Sequence, residues 1–154
     1  MIRLLALLTV TLLAACAPQS GDVTSENLGL SGSFTAQRVI SDDPHHVLLG
    51  HMIEVTRNGE TLRALVISQR RDGVHRLSLR EAWSGGVRLP YSATSRRLDG
   101  CTHGHCRDNS IGMIFLSEAL YAHARVHGLR AYLVGREGNV EIHAPADLVA
   151  SLGT

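Results

Sequence analysis

Two thiols and two imidazoles fall within six residues at Cys101-Thr102-His103-Gly104-His105-Cys106, the densest run of chemically capable side chains in the sequence. Thiolate and neutral imidazole suit a borderline ion such as Zn or Cu. A loop this short has difficulty presenting all four groups to one tetrahedral ion, and zinc motifs usually draw paired ligands from two distant segments. The haem-attachment pattern fails too, because Arg107 follows Cys106 where an axial His is expected. His123 and His127, four apart, share a face if their segment is helical. His103, His105, His123 and His127 together form a candidate Zn or Cu site on the condition that they meet in space. No Gly-x-Ser-x-Gly elbow, His-Glu-x-x-His, P-loop or dinucleotide glycine pattern occurs. No catalytic residue is therefore assigned, and an enzyme ranks behind a binding role.

The N-terminus carries a second chemical signature. Arg3 supplies a short positive region, Leu4 to Leu13 an apolar run, and Ala14 and Ala15 small residues before Cys16. That run is shorter than the ~20 apolar residues needed to span a bilayer, so it reads as a signal segment. Leu13-Ala14-Ala15-Cys16 resembles the lipobox of bacterial lipoproteins. The resemblance covers residues 1–16 only. It implies cleavage before Cys16, acylation of its thiol and of the new N-terminus, and membrane attachment through that lipid. Ala17, rather than an acidic residue, follows the cysteine. The resemblance then implies the outer membrane, facing the periplasm, in preference to the inner membrane.

With Cys16 acylated, Cys101 and Cys106 become an even pair in an oxidising compartment. A disulfide between them closes a six-residue loop, stabilising by about 2 kcal/mol on chain-entropy grounds. It consumes both thiolates, so bridge and thiolate ligation exclude one another. The expectation is a structural disulfide, with a metal site, a redox-active pair or free thiols as alternatives.

All fifteen basic residues are arginine, set against fourteen acids and nine histidines in 154 residues. A net charge of +1 excludes a generally polybasic nucleic-acid binder, and no nucleic-acid partner is expected. The charge is unevenly distributed. Residues 70–107 hold eight arginines and three acids, whereas residues 22–60 hold six acids and two arginines. Arginine's planar fork suits phosphate and carboxylate groups. Arg96 and Arg97 are thus candidates for contact with an anionic envelope component or a protein partner.

The elements that position these groups read as follows. Residues 1–15 are the signal segment, 16–45 a flexible tether with a possible first strand at Ser33–Ile40, and 46–154 a single α+β domain. Asn58-Gly59 is a strong hairpin signal between Val47–Arg57 and Glu60–Arg70. Placing it at the tip pairs Arg57 with Glu60, Val55 with Leu62, Glu54 with Arg63 and Ile53 with Ala64, so that charges match in sign. His51 falls on that hairpin's apolar face, where a hydrogen-bonded, half-buried imidazole is expected. After the turn at Asp72-Gly73, Val74–Trp83 completes a meander, with Leu77 opposite Ser68 and Leu79 opposite Val66. Ser117 caps a helix at about 117–127 that ends at Gly128 and covers the meander's Ile53 and Val55 face. Leu129–Arg136 and Val140–His143 are further strands, and Pro145 opens a short C-terminal helix. The expected protein is a lipid-anchored periplasmic binding or accessory module, with a Zn- or Cu-binding lipoprotein as the alternative.

Overall fold

Two ten-residue strands on either side of Asn58-Gly59 form the spine of the protein. The structure, a computed structural model, describes residues 20–26, 29–41, 43, 47–69, 77–97, 108–136 and 138–152. In chain order the strands begin with β1 (Gly21–Ser25), β2 (Leu30–Phe34), β3 (Arg38–Val39), β4 (Leu48–Arg57) and β5 (Glu60–Gln69). They continue with β6 (Leu79–Ser84), β7 (Val87–Leu89), β8 (Tyr91–Arg97) and β9 (Asp108–Leu116). Helix α1 (Glu118–His127), β10 (Leu129–Gly135), β11 (Asn139–Ala144) and α2 (Ala146–Ala150) complete the chain. The fold is β-rich and antiparallel. A seven-stranded sheet runs β1-β2-β4-β5-β9-β8, with β3 also on β4, and a four-stranded sheet runs β11-β10-β6-β7.

The β4–β5 hairpin has the expected register. Arg57 pairs with Glu60, Val55 with Leu62, Glu54 with Arg63 and Ile53 with Ala64. Asn58 and Gly59 take φ of 52° and 83°, the doubly left-handed form of a type I′ turn. Further along β4, Gly50 has a packing role. A Cβ there would stand 2.8 and 2.9 Å from Ile40 carbons, so the glycine leaves the room that Ile40 fills.

The second neighbour of β5 is not the expected strand from Val74–Trp83. It is β9, which sets Val66 opposite Met113 and Ser68 opposite Ile111. Residues 79–84 instead form β6 in the other sheet, against β10. The helix does not cover the Ile53 and Val55 face either. The core lies on the opposite face, where Leu48, Met52, Leu65, Ile67 and Ile114 are buried. They meet Ala82 of β6, Leu129, Ala131 and Leu133 of β10, and Val140, Ile142 and Ala144 of β11. Leu148 and Val149 of α2 join them, with Tyr121 and Ala124 of α1. The covering layer is therefore a sheet plus two helices rather than one main helix. Both hairpin faces are apolar, and strand parity alone does not say which is covered.

Local signals at helix α1 act as read. The Ser117 hydroxyl accepts from the Leu120 amide, and Gly128 at φ 76° donates to the Ala124 carbonyl. Val126, which fits the apolar spacing, is 69% exposed, because the buried side is set by Tyr121 and Ala124. At the N-terminal end, Gly21–Ser25 is a strand instead of tether, paired residue for residue with β2. The expected strand Ser33–Ile40 is divided into the end of β2 and β3, both on β4. Between them the Thr35 hydroxyl accepts from the Met52 amide at 2.9 Å, replacing the missing ladder bond. Ser41 does the same for the Leu48 amide at 2.8 Å.

Candidate functional site: two faces of one sheet wing

The core stops partway along the hairpin. Beyond Met52 on β4 and Leu65 on β5, the inner face turns polar at Glu54, Thr56, Thr61 and Arg63. Strand alternation continues this face into β2 as Ser31 and Ser33 and into β1 as Asp22 and Thr24, since Ser33 pairs with Glu54 and Asp22 with Ser33. Together, β1, β2 and the distal halves of β4 and β5 form a wing whose inner face lies outside the core.

That inner face lines an open cleft of about 770 Å³. Hydroxyls dominate it, from Ser20, Thr24, Ser31, Ser33, Thr56 and Ser151. Of its three charged lining residues, Asp22, Arg38 and Glu54, the last two are engaged in ion pairs. Arg38 on β3 donates to the Asp147 carboxylate of α2 at 2.5 Å, which closes one end of the cleft. That contact holds the Asp147 carboxyl below its ordinary value. Glu54 accepts from Arg63 Nε at 2.6 Å. The same guanidinium bonds Glu118 of α1 and lies over the Tyr121 ring at 4.5 Å from its centroid. Arg63 thereby ties wing, helix and cleft wall together, a planar cation serving two carboxylates and one π face. Thr56 and Thr61 share a hydroxyl hydrogen bond of 3.0 Å across the hairpin.

The outer face of the same wing has opposite character. Val23, Gly32, Val55 and Leu62 lie in one register row, with Phe34, Ile53, Ala64 and Phe115 in the next. Val23 is 52% exposed and Leu62 45%. An open groove near the hairpin tip runs along Leu30, Val55, Leu62, Pro90 and Phe115, with Arg57 at its edge. Among the described residues, neither helix nor the four-stranded sheet packs on this side, although Ala64 and Val66 farther along it are buried.

His51 sits on this outer face opposite Val66. It is half-buried as expected, and burial lowers its pKa. The expected hydrogen bond is not there on one side of the ring: Nδ1 is buried with no partner among the described residues.

The other residues singled out from sequence are distributed as follows. His123 and His127 do meet on α1, with ring centroids 4.6 Å apart, and both are exposed. Cys16, Cys101, Cys106, His103 and His105 lie outside the described residues. Among the described residues no group of three or more His, Cys, Asp or Glu is arranged to hold a metal. Arg96 and Arg97 occupy the last two positions of β8, an edge strand, opposite Asn109 and Asp108. Also among the described residues, no helix is long and apolar enough to cross a membrane.

Sequence reasoning missed the hydroxyl cleft. The polar alternation Asp22, Thr24 and Ser31, Ser33 was its available signal, hidden by reading that stretch as tether. The fold and site define a two-sheet β protein with a two-faced wing. No protein-family model matches this chain, and no curated protein or solved structure matches it either.

Proposed function

We propose that this protein is a lipid-anchored periplasmic binding module of the outer membrane, acylated at Cys16, that holds a hydroxyl-rich, uncharged envelope component in the wing cleft. Glycan strands of the cell wall have that chemistry. The observation that carries the reading is the cleft lining. Six hydroxyl side chains line it beside the Asp22 carboxylate; Ser151 donates to the Leu148 carbonyl and Thr56 is bonded to Thr61, while Arg38 and Glu54 are engaged by Asp147 and Arg63. A polyol matches such a surface better than an anion, for which the lining offers one cation already in an ion pair.

The anionic partner expected at Arg96 and Arg97 is a separate surface at the sheet edge, and the same experiment distinguishes it. Full-length protein in mild detergent is pelleted with isolated cell-wall sacculi. Thr24→Trp with Ser31→Trp fills the cleft from two exposed strand positions, and we expect at least tenfold weaker pelleting. Unchanged pelleting overturns the cleft reading. Loss only on Arg96→Ala with Arg97→Ala transfers binding to the arginine-rich stretch. The Cys101–Cys106 bridge belongs to this proposal as a local staple, and two alkylatable thiols in periplasm-derived protein would remove it.

A further inference from the structure

We infer that the apolar outer face of the wing is the surface on which the protein lies against the lipid bilayer, so that the polar cleft points away from the lipid. The inference rests on acylation of Cys16 as proposed above, and adds to it the orientation of the domain.

Chain length brings the wing to the membrane. Only five residue steps separate Cys16 from Gly21, the first residue of β1. Fully extended, five residues reach about 18 Å. An acylated Cys16 sits at the headgroup level, so the β1 edge is confined to within that distance of it. Adjacent strands are about 4.8 Å apart, which puts β5 three spacings, or about 14 Å, from β1. The wing from Val23 to Leu62 is therefore comparable in width to the reach of its own anchor.

At that range either the inner or the outer face is turned toward the lipid, and their chemistry differs. The inner face carries Asp22, Thr24, Ser31, Ser33, Glu54 and Thr56, two carboxylates and four hydroxyls that line the open cleft. The outer face carries exposed Val23 and Leu62, with half-buried Phe34 and Val55 between them and half-buried Phe115 beyond Leu62 on β9. Transferring these from water to the acyl–headgroup boundary is favourable in proportion to apolar area, and transferring the carboxylates is not. Arg57 and Glu60, paired and exposed at the hairpin tip, form the charged edge of the groove, where Arg57 can meet a lipid phosphate while Glu60 stays at the water side. A single lipid anchor leaves rotation free; an apolar face beside it removes that freedom.

The test uses full-length acylated protein in vesicles containing phospholipids brominated along the acyl chain, which quench nearby tryptophan. In a Trp83→Phe background, the reporters are Val23→Trp and Leu62→Trp on the outer face, Thr56→Trp on the inner face, and Val87→Trp and Val126→Trp on the other layer. Val87 and Val126 are 65% and 69% exposed, so they report on an equally accessible but distant surface. We expect quenching at positions 23 and 62 at least threefold greater than at 56, 87 and 126. Equal quenching at all five positions, or stronger quenching at 56, overturns the orientation while leaving the anchor intact. Protein that fails to float with the vesicles and lacks acyl mass at Cys16 overturns both the anchor and the orientation. Thermal unfolding of each variant confirms that the reporter sits in folded protein.

Discussion

His51→Leu is expected to stabilise the protein, and to do so increasingly as the pH falls. His51 buries Nδ1 on the outer face of β4 with no partner among the described residues. A buried polar atom left unsatisfied costs about 1–3 kcal/mol. The side chain is half-buried, so the lower part of that range applies, and leucine should recover about 1–2 kcal/mol near pH 8. For a domain of this size that corresponds to a Tm higher by roughly 3–8 °C. Burial lowers the folded-state pKa of His51 from its ordinary 6.5. The unfolded chain then takes up a proton that the folded chain refuses, so stability present above pH 6.5 is lost as the pH falls below it. Leucine has no such term, and the stability difference between the two proteins should widen from pH 8 to pH 5.5. Urea unfolding followed by far-UV circular dichroism at four pH values measures it. A His51→Leu variant less stable by more than about 1 kcal/mol at pH 8 would refute the reasoning, as would a difference that does not change with pH.

Three further outcomes follow from the packing. Gly50→Ala should cost about 1–3 kcal/mol because its Cβ collides with Ile40, and Ile40→Val should return part of that loss in a double-mutant cycle. Burial pushes the Tyr91 hydroxyl up to about 12 from 10.0. Its proton is therefore held more tightly in the folded state, and stability is full below pH 10 and declines between pH 10 and 12. After allowance for solvent screening the loss is about 1 kcal/mol, absent in Tyr91→Phe and visible by absorbance titration of tyrosinate. Arg63→Lys should destabilise by roughly 1–2 kcal/mol in chemical denaturation, since an ammonium cannot serve Glu54 and Glu118 in parallel while stacking on Tyr121.

Local chemistry was legible in the sequence, and long-range pairing was not. Asn58-Gly59 and the charges at Arg57, Glu60, Glu54 and Arg63 set one hairpin register, and β4–β5 adopts it. Ser117 and Gly128 bound α1 because a side-chain oxygen and a left-handed residue solve the two helix-end problems in place. The partner of β5 is another matter. Residues 77–79 and residues 111–116 both offer apolar side chains, and only tertiary competition selects β9. Pro90 helps explain the outcome: it separates β7 in one sheet from β8 in the other, and its carbonyl accepts from the Phe115 amide. The Gly85-Gly86 pair, with φ of 55° and 80°, was an unread hairpin signal for β6–β7. The sequence Gly-Asp-Val-Thr-Ser of β1 has little strand propensity of its own and is held by its pairing with β2. The cleft was illegible for the same reason, since it exists only once β1 and β2 are laid beside β4.

The claim on which both the cleft's compartment and the wing's orientation depend is acylation at Cys16. Trypsin finds no cleavage site between Cys16 and Arg38. Membrane-extracted protein should therefore yield a single N-terminal peptide, Cys16–Arg38, whose mass carries the acyl chains on the cysteine thiol and amine. A Leu4–Arg38 peptide with a free thiol, or a mature chain beginning at any other residue, would contradict the account.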